Sequence, residues 1–383
     1  MNEQDVVRLS DATLLSYIAE GAANILYECS DPLYTGYLLR LRKKMPSQPS
    51  TLDVYKFLQN TIEPLFKPGM VVATKLVRLS PHVLRELNSQ LSSLDENGVR
   101  EKKRHGTWLD TEEEYGMYVE NMTATAAFGS DELPIAQEVR YKVKGSSSML
   151  GYVLRGDLKK KSQETAVLEF KPKWLMQSRD APVGWTYCRT CALRRMRAKD
   201  KAGQYAFCPL DLVSGDRNRV SKSVEALLPT EVGEQIGGGD RVLGLERLRR
   251  ILVEYIIKAD IFTTLRDIQE KMDRHGLLNT DTKQESTEFL IAMTVRDCTA
   301  FVRIDAIEDD KLEGEKRNFV GESSGRASFV KDEGRWFAVS CRLADLDIKD
   351  GSGTKQEYWR SIERELNGGG WYCGRDDQMA ECR

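Results

Sequence analysis

Apolar and polar residues alternate from Leu14 to Ala19 and again from Asn24 to Glu28, the period-two signature of two strands. The small-residue run Glu20-Gly21-Ala22-Ala23-Asn24 between them predicts a tight turn, and Tyr37 to Leu41 predicts a third strand carrying Arg40. Helical spacing follows over Leu52 to Leu65, strand-like residues over Val71 to Val77, and an amphipathic helix over Pro81 to Leu94 with Ser80 as its cap. Asp95 to Glu114 is charged and reads as loop, with the basic run Lys102-Lys103-Arg104-His105. Tyr115 to Asn121 alternates again, and Met122-Thr123-Ala124-Thr125 has the small residues of a hinge. In the second half, Ala166 to Phe170 reads as a buried strand, Cys208 to Gly215 as a compact turn and Arg219 to Leu228 as a helix. Gly237-Gly238-Gly239 interrupts the chain. Arg241 to Lys258 and Ile261 to Met272 are helices, the first with a stripe of Leu243, Leu248, Ile251, Leu252 and Tyr255. Ser286 to Val295 predicts another helix, and Thr299 to Ile304 and Trp336 to Leu343 predict two strands. Glu308 to Arg317 reads as a charged loop, and the glycine-rich, charged tail from Asn367 as poorly ordered. The expected fold class is α+β, with an N-terminal lobe over 1–121, an enlarged C-terminal lobe over 122–366 and a flexible tail over 367–383.

Composition narrows the picture. With 383 residues the chain can build two cores, and 40% hydrophobic and 30% charged residues are ordinary for a globular protein. A net charge of −2 argues against general nucleic-acid binding, which rests on whole-domain basicity, so nucleic acid is not required as a partner. No apolar run approaches a membrane span, and Met1 to Ser10 carry early acids rather than the apolar core of a leader. A soluble monomer of the cytoplasm or nucleus is expected, with no membrane partner. Eight cysteines in this length fit a reducing compartment better than a disulfide scaffold.

The candidate chemistry is local. Glu169-Phe170-Lys171-Pro172-Lys173 ends a strand in two lysines around a proline, which fixes φ and stops the sheet, and Arg179, Arg189, Arg194, Arg195 and Arg197 follow closely. Such a cluster suits an anionic ligand; a solvated basic loop is the plain alternative. A glycine-type turn followed by a strand with a cation matches the nucleotide lobe of kinases, where the cation neutralises phosphates. Asp297 opens one predicted strand and Asp345 closes the next, so a base and a magnesium ligand can lie at one sheet edge. Alternatively each aspartate caps a turn or pairs with an arginine. Cys188 and Cys191 have ligand spacing for zinc and Cys208 is a third donor, but a fourth is not evident among His82, His105 and His275. Reduced cysteines packing a loop is the competing explanation.

These words together resemble the inositol-pentakisphosphate 2-kinases. The matching stretches are Gly21-Ala22-Ala23-Asn24, Leu39-Arg40-Leu41, Glu169 to Lys173, Cys188-Arg189-Thr190-Cys191, Cys208-Pro209-Leu210-Asp211-Leu212 with Ser214-Gly215, Arg296-Asp297-Cys298 and Asp345-Leu346-Asp347-Ile348-Lys349. The resemblance implies a two-lobed, divergent protein-kinase-like fold that phosphorylates the 2-hydroxyl of inositol pentakisphosphate with ATP and Mg2+. It makes Asp297 the catalytic base, Asp345 the main magnesium ligand and Asp347 a second. Lys171, Lys173, Arg189, Arg197, Lys349 and Tyr358 would hold the substrate, with Arg104 as a looser candidate from the N-terminal lobe. Gly21, Ala22, Ala23, Asn24 and Arg40 would face the nucleotide phosphates, Glu169 would lie near the nucleotide, and Glu120 or Asn121 at the hinge. The chain departs from the family at Ala192-Leu193-Arg194, where many members have Met-His-Gln. It also departs at Arg197, where a lysine is usual, and at Thr299-Ala300-Phe301. The alternative function is a non-catalytic basic CxxC module that binds inositol phosphates or nucleic acid without turnover.

Overall fold

The computed structural model describes residues 6–9, 13–46, 48–122, 135–142, 149–155, 163–198, 207–236, 242–279, 286–307, 327–349, 353–373 and 382. The chain forms two compact units, Met1–Thr61 with Val72–Gly129 and Ile62–Val71 with Ser130–Arg383. The expected hinge at Thr123 to Thr125, the Gly237 to Gly239 break and the Glu308 to Arg317 loop lie outside the described residues.

In the first unit the strands are β1 (Val7–Arg8), β2 (Leu15–Glu20), β3 (Asn24–Cys29), β4 (Tyr37–Arg42), β5 (Thr74–Arg78) and β6 (Tyr115–Glu120), with helices α1 (Thr51–Phe57) and α2 (Pro81–Glu96). They make one sheet in the order β1-β5-β6-β4-β3-β2. Alternation decides its faces: Ile25, Tyr27 and Cys29 point inward along β3 while Glu28 is exposed. The Ser80 hydroxyl caps α2 by accepting from Val83 N at 3.4 Å. Val83, Leu84, Leu87 and Leu91 then lie along one face of α2, in one core with Ile25, Tyr27, Leu39, Leu41 and Val77. The helix expected over Leu52 to Leu65 divides into α1, a π turn at Leu58–Ile62 and a 3-10 turn at Glu63–Leu65, because Pro64 cannot continue an α-helical ladder. The strand expected from Val71 starts at Thr74, and Val71, itself part of the second unit, forms a parallel bridge with Leu343 of that same unit.

The second unit holds strands β7 (Ile135–Lys142), β8 (Met149–Arg155), β9 (Gln163–Phe170), β10 (Thr299–Ile307), β11 (Ser328–Asp332) and β12 (Arg335–Ala344). Its helices are α3 (Arg189–Ala198), α4 (Pro209–Leu212), α5 (Arg217–Leu227), α6 (Glu231–Ile236), α7 (Leu245–Lys258), α8 (Ile261–Met272), α9 (Thr287–Val295) and α10 (Gly353–Gly368). Its sheet runs β11-β12-β10-β9-β8-β7, antiparallel throughout. β11 and β12 join through Glu333 and Gly334, both at positive φ, which is the backbone of a two-residue type I′ hairpin. Leu248, Ile251, Leu252 and Tyr255 are buried along α7 as their spacing requires, although the helix starts at Leu245 rather than Arg241, with Gly244 at its cap. The tail from Asn367 departs from expectation. Asn367 and Gly368 complete α10, Tyr372 is fully buried, and Cys382 is buried in the same cluster as Leu366.

Candidate active site

Register brings the predicted chemistry to one end of the second unit's sheet. Ala300 pairs with Phe170, and Thr299 pairs with Ala344. The residues just beyond β9, just before β10 and just beyond β12 therefore share that end. These are Lys171 and Lys173, Asp297, and Asp345 to Lys349. Lys173 and Asp345 hold φ of 63° and 56°, a left-handed backbone that side-chain-bearing residues rarely adopt. Such strain, of order 1–3 kcal/mol each, persists where the surroundings dictate the conformation and is concentrated at functional sites.

Three lysines converge on one carboxylate. Lys173 Nζ donates to Asp297 Oδ1 at 3.1 Å, Lys349 Nζ lies 3.2 Å from Asp297 Oδ2, and Lys171 Nζ donates to the Asp297 carbonyl at 2.9 Å with Oδ1 at 3.5 Å. Asp345 is 4.0 Å from Lys171 through Oδ2, and the same oxygen accepts from Thr299 Oγ1 at 2.6 Å. Asp347 is fixed through its carbonyl, which accepts from Thr294 Oγ1 at 3.1 Å. Partial burial would raise Asp297, but Lys349, Lys173 and Lys171 hold it far below the usual carboxylate range. Burial lowers Lys173 despite Asp297, with Lys171 and Lys349 adding repulsion. Burial also raises Glu169, reinforced by Asp345 and opposed by Lys171.

Gln269, which the sequence reading did not single out, ties this site together. Fully buried on α8, it accepts from Leu175 N at 2.9 Å and donates to the carbonyls of Lys173 at 3.0 Å and Val295 at 3.4 Å. One amide thus joins the lysine loop to the turn that carries Asp297. The only prior signal was a glutamine on the apolar face of an amphipathic helix. Beneath lies Trp174, with the guanidinium carbons of Arg296 and Arg189 at 3.6 and 4.1 Å from its ring centre.

Arg189 differs from its expected role. It is 5% exposed, and its Nε donates to Glu363 Oε2 at 2.7 Å, so its charge is already matched inside the core rather than presented to a ligand. Arg197 and Tyr358 are exposed and adjacent, with Arg197 Nη2 donating to Tyr358 Oη at 3.4 Å. The fold thus brings together two substrate candidates far apart in sequence.

In the first unit the predicted phosphate turn is built as a hairpin, Gly21 N donating to Asn24 O at 2.9 Å. Glu20 anchors it: buried Lys43 forms an ion pair with Glu20 and donates to Gly21 O at 3.1 Å, while Lys43 N donates to Ala23 O at 2.9 Å. Arg100 Nε adds a bond of 2.8 Å to Glu20. Burial works against ionisation of Glu20, yet Arg100 and Lys43 bring it down to about 2. Gly21 and Ala22 are exposed and Ala23 half-buried, so the tip of the turn faces solvent. Asn24 Oδ1 is buried with no donor among the described residues, a polar atom beside the turn. Arg40 sits in β4 between Leu26 and Met117. Glu120 ends β6 and donates its N–H to Ala73 O at 3.0 Å, and Asn121 N donates to Gly36 O at 2.8 Å. Arg104 closes a 3-10 turn, its Nε buried without an acceptor among the described residues.

Cys188, Cys191 and Cys208 come together, and Cys382 joins them, all four sulfurs lying within 4.8 Å of one another. This arrangement is compatible with a tetrahedral metal. The fourth donor was missed because nothing in the sequence ties position 382 to a C-x-x-C nearly half a chain away. Among the described residues, this is the cluster of three or more cysteine, histidine or acidic side chains close enough to share an ion.

Cationic groups gathered on a strand-end aspartate, with further aspartates on the adjoining strand end, form an arrangement suited to phosphoryl transfer, the chemistry of a kinase. The family described as inositol-pentakisphosphate 2-kinase matches residues 17–365. A protein of Yarrowia lipolytica (strain CLIB 122 / E 150) named inositol-pentakisphosphate 2-kinase is 26% identical over 356 residues, 93% of this chain and 91% of its own. The chain belongs to the inositol-pentakisphosphate 2-kinase family.

Proposed function

We propose that this protein transfers the γ-phosphoryl group of ATP to the 2-hydroxyl of inositol 1,3,4,5,6-pentakisphosphate, giving inositol hexakisphosphate and ADP. The observation that carries the reading is the convergence of Lys171, Lys173 and Lys349 on Asp297. A polyanion can draw lysines away from a single carboxylate, so arriving phosphates would take the cations and leave Asp297 facing the hydroxyl. Asp297 then orients that hydroxyl and accepts its proton as the oxygen bonds to phosphorus and the bond to the ADP oxygen breaks. Once the lysines turn to the phosphates, the charge that holds Asp297 low is withdrawn and its carboxylate becomes a better proton acceptor. Arg197 and Tyr358 contribute further contacts to the substrate.

Asp345, whose side chain is 57% exposed, and Asp347 supply hard oxygen donors suited to Mg2+. Bound there, the metal would neutralise charge on the nucleotide phosphates. We assign the nucleotide phosphates to the hairpin amides of Gly21 to Asn24 and to Arg40, which makes the first unit a nucleotide lobe of kinase type. The experiment is direct: incubation with ATP, Mg2+ and inositol pentakisphosphate, then anion-exchange separation. A new, later-eluting hexakisphosphate peak that requires both ATP and the enzyme is expected. Absence of that peak with well-folded protein would overturn the assignment.

A further inference from the structure

We propose that Gln269 is a positioning residue for the phosphoryl transfer, an inference that rests on the proposed reaction. Its buried amide keeps the lysine loop and the Asp297 turn in register once the polyanion has drawn Lys173 away from Asp297. Gln269 lies on the inward face of α8, four residues after buried Leu265, where an apolar residue would pack the helix without a polar group to satisfy. The amide, 0% exposed, instead answers three backbone groups. Leu175 N donates to its Oε1 at 2.9 Å, and its Nε2 donates to Lys173 O at 3.0 Å and Val295 O at 3.4 Å. Both of its N–H groups are thereby used. Each segment needs these bonds: Lys173, with φ of 63°, has left the ladder of β9, and Val295 ends α9, where the helix supplies no donor for its last carbonyls.

These bonds close a ring. Lys173 Nζ donates to Asp297 Oδ1 at 3.1 Å, Asp297 follows Val295 by two residues, and the Gln269 amide joins Val295 back to Lys173. The link between the Lys173 and Asp297 side chains, 34% and 47% exposed, is open to an arriving phosphate, and the buried link is not. In the free protein both links hold the two segments together. In the complex the phosphates occupy Lys173, and the Gln269 amide still ties its backbone to the turn that carries Asp297. The stack of Arg296 on Trp174 joins the same segments through side chains, whereas Gln269 binds their backbones. A misplacement of about 1 Å between reacting groups can cost roughly 10²-fold in rate. Slack in this tie should therefore appear in turnover rather than in affinity, because the phosphates still find the same lysines.

Gln269→Met keeps the side-chain length and removes all three bonds. Its kcat should fall roughly 10- to 100-fold. Its Kd for inositol hexakisphosphate, the polyanion probe in calorimetry, should stay within about threefold of the parent's, the split expected of an interaction that acts on the transition state. Gln269→Glu, kept neutral by burial, retains the acceptor and one donor and should recover part of the lost kcat. Ser223→Ala, which loses a buried hydrogen bond to Cys208 O at 3.1 Å, should leave kcat at the parent value and so separates positioning from general destabilisation. With saturating inositol hexakisphosphate, hydrogen exchange in Gln269→Met should be faster at both 173–175 and 295–298 and unchanged in β2 and β3. A kcat at the parent value in folded Gln269→Met, an equal fall in Ser223→Ala, or loosening of only one of the two segments would overturn the role. A parent that forms no hexakisphosphate would defeat the proposed reaction instead, and the exchange comparison would still decide whether Gln269 ties the two segments.

Discussion

Asp297 is the residue on which the proposed chemistry turns, and its three lysines predict an effect in two directions. Asn in its place cannot take a proton, so kcat should fall by roughly 10²- to 10⁴-fold. It also removes a negative charge from the substrate's path and releases Lys171, Lys173 and Lys349. Inositol pentakisphosphate should therefore bind Asp297→Asn at least as tightly as the parent, as calorimetry would measure. Weaker binding together with lost turnover would point to a disrupted fold instead. Trp174 sits one layer below. Trp174→Ala opens a cavity and strips Arg296 and Arg189 of the ring they stack on, so a loss of about 3–5 kcal/mol is expected in urea unfolding. The words Glu169 to Lys173, Arg296 to Cys298 and Asp345 to Lys349 were legible as a site because each flanks a strand end, and register then set them side by side. The burial of Arg189 was not legible, for a physical reason. Charge in a basic run looks available in sequence, and its buried partner Glu363 lies too far along the chain to be seen.

Elements with apolar stripes were legible, and those with polar buried faces were not. α7 and α8 bury leucine, isoleucine and phenylalanine at helical spacing. α10 instead buries Gln356, Arg360 and Glu363 on one face, at four- and three-residue steps, so its amphipathic pattern vanishes from a hydropathy reading. Glu363 is 0% exposed, pairs with Arg189 and accepts from Ser178 Oγ at 2.8 Å. Glu363→Gln would leave the Arg189 charge buried and unmatched, a cost of about 3–5 kcal/mol by chemical denaturation. β11 was missed because it is only five residues long and ends on the charged pair Lys331-Asp332. The β2–β3 hairpin carries a pH signature. Glu20 falls from its ordinary 4.5 to about 2 in the folded unit, so its pairing stabilises fully above about 4.5 and is lost as pH falls toward about 2. Glu20→Gln should flatten the acid limb of the unfolding curve between those values. An acid limb identical to the parent's would remove Glu20 from acid stability.

At the scale of the whole molecule the charge balance makes its own demand. The chain is almost neutral, with a net charge of −2, yet the proposed substrate brings five phosphomonoesters of about −1.5 to −2 each, roughly −7 to −10 in all. Its affinity must come from cations concentrated at one place rather than from the overall field. In the second unit Lys171, Lys173, Lys349 and Arg197 come from three stretches of chain, and the first three are committed to Asp297 until a stronger anion arrives. Binding should therefore weaken steeply as salt rises, because exposed charge pairs are screened over about 8–10 Å at 0.1–0.15 M. It should also order those stretches together. Hydrogen exchange with inositol pentakisphosphate should show protection around 171–173, 297–299 and 345–349 and at the end of α3. ATP alone should protect 21–40 in the first unit. Binding that ignores salt, or protection that leaves 345–349 unchanged, would detach the lysine–aspartate cluster from the substrate while leaving the family membership untouched.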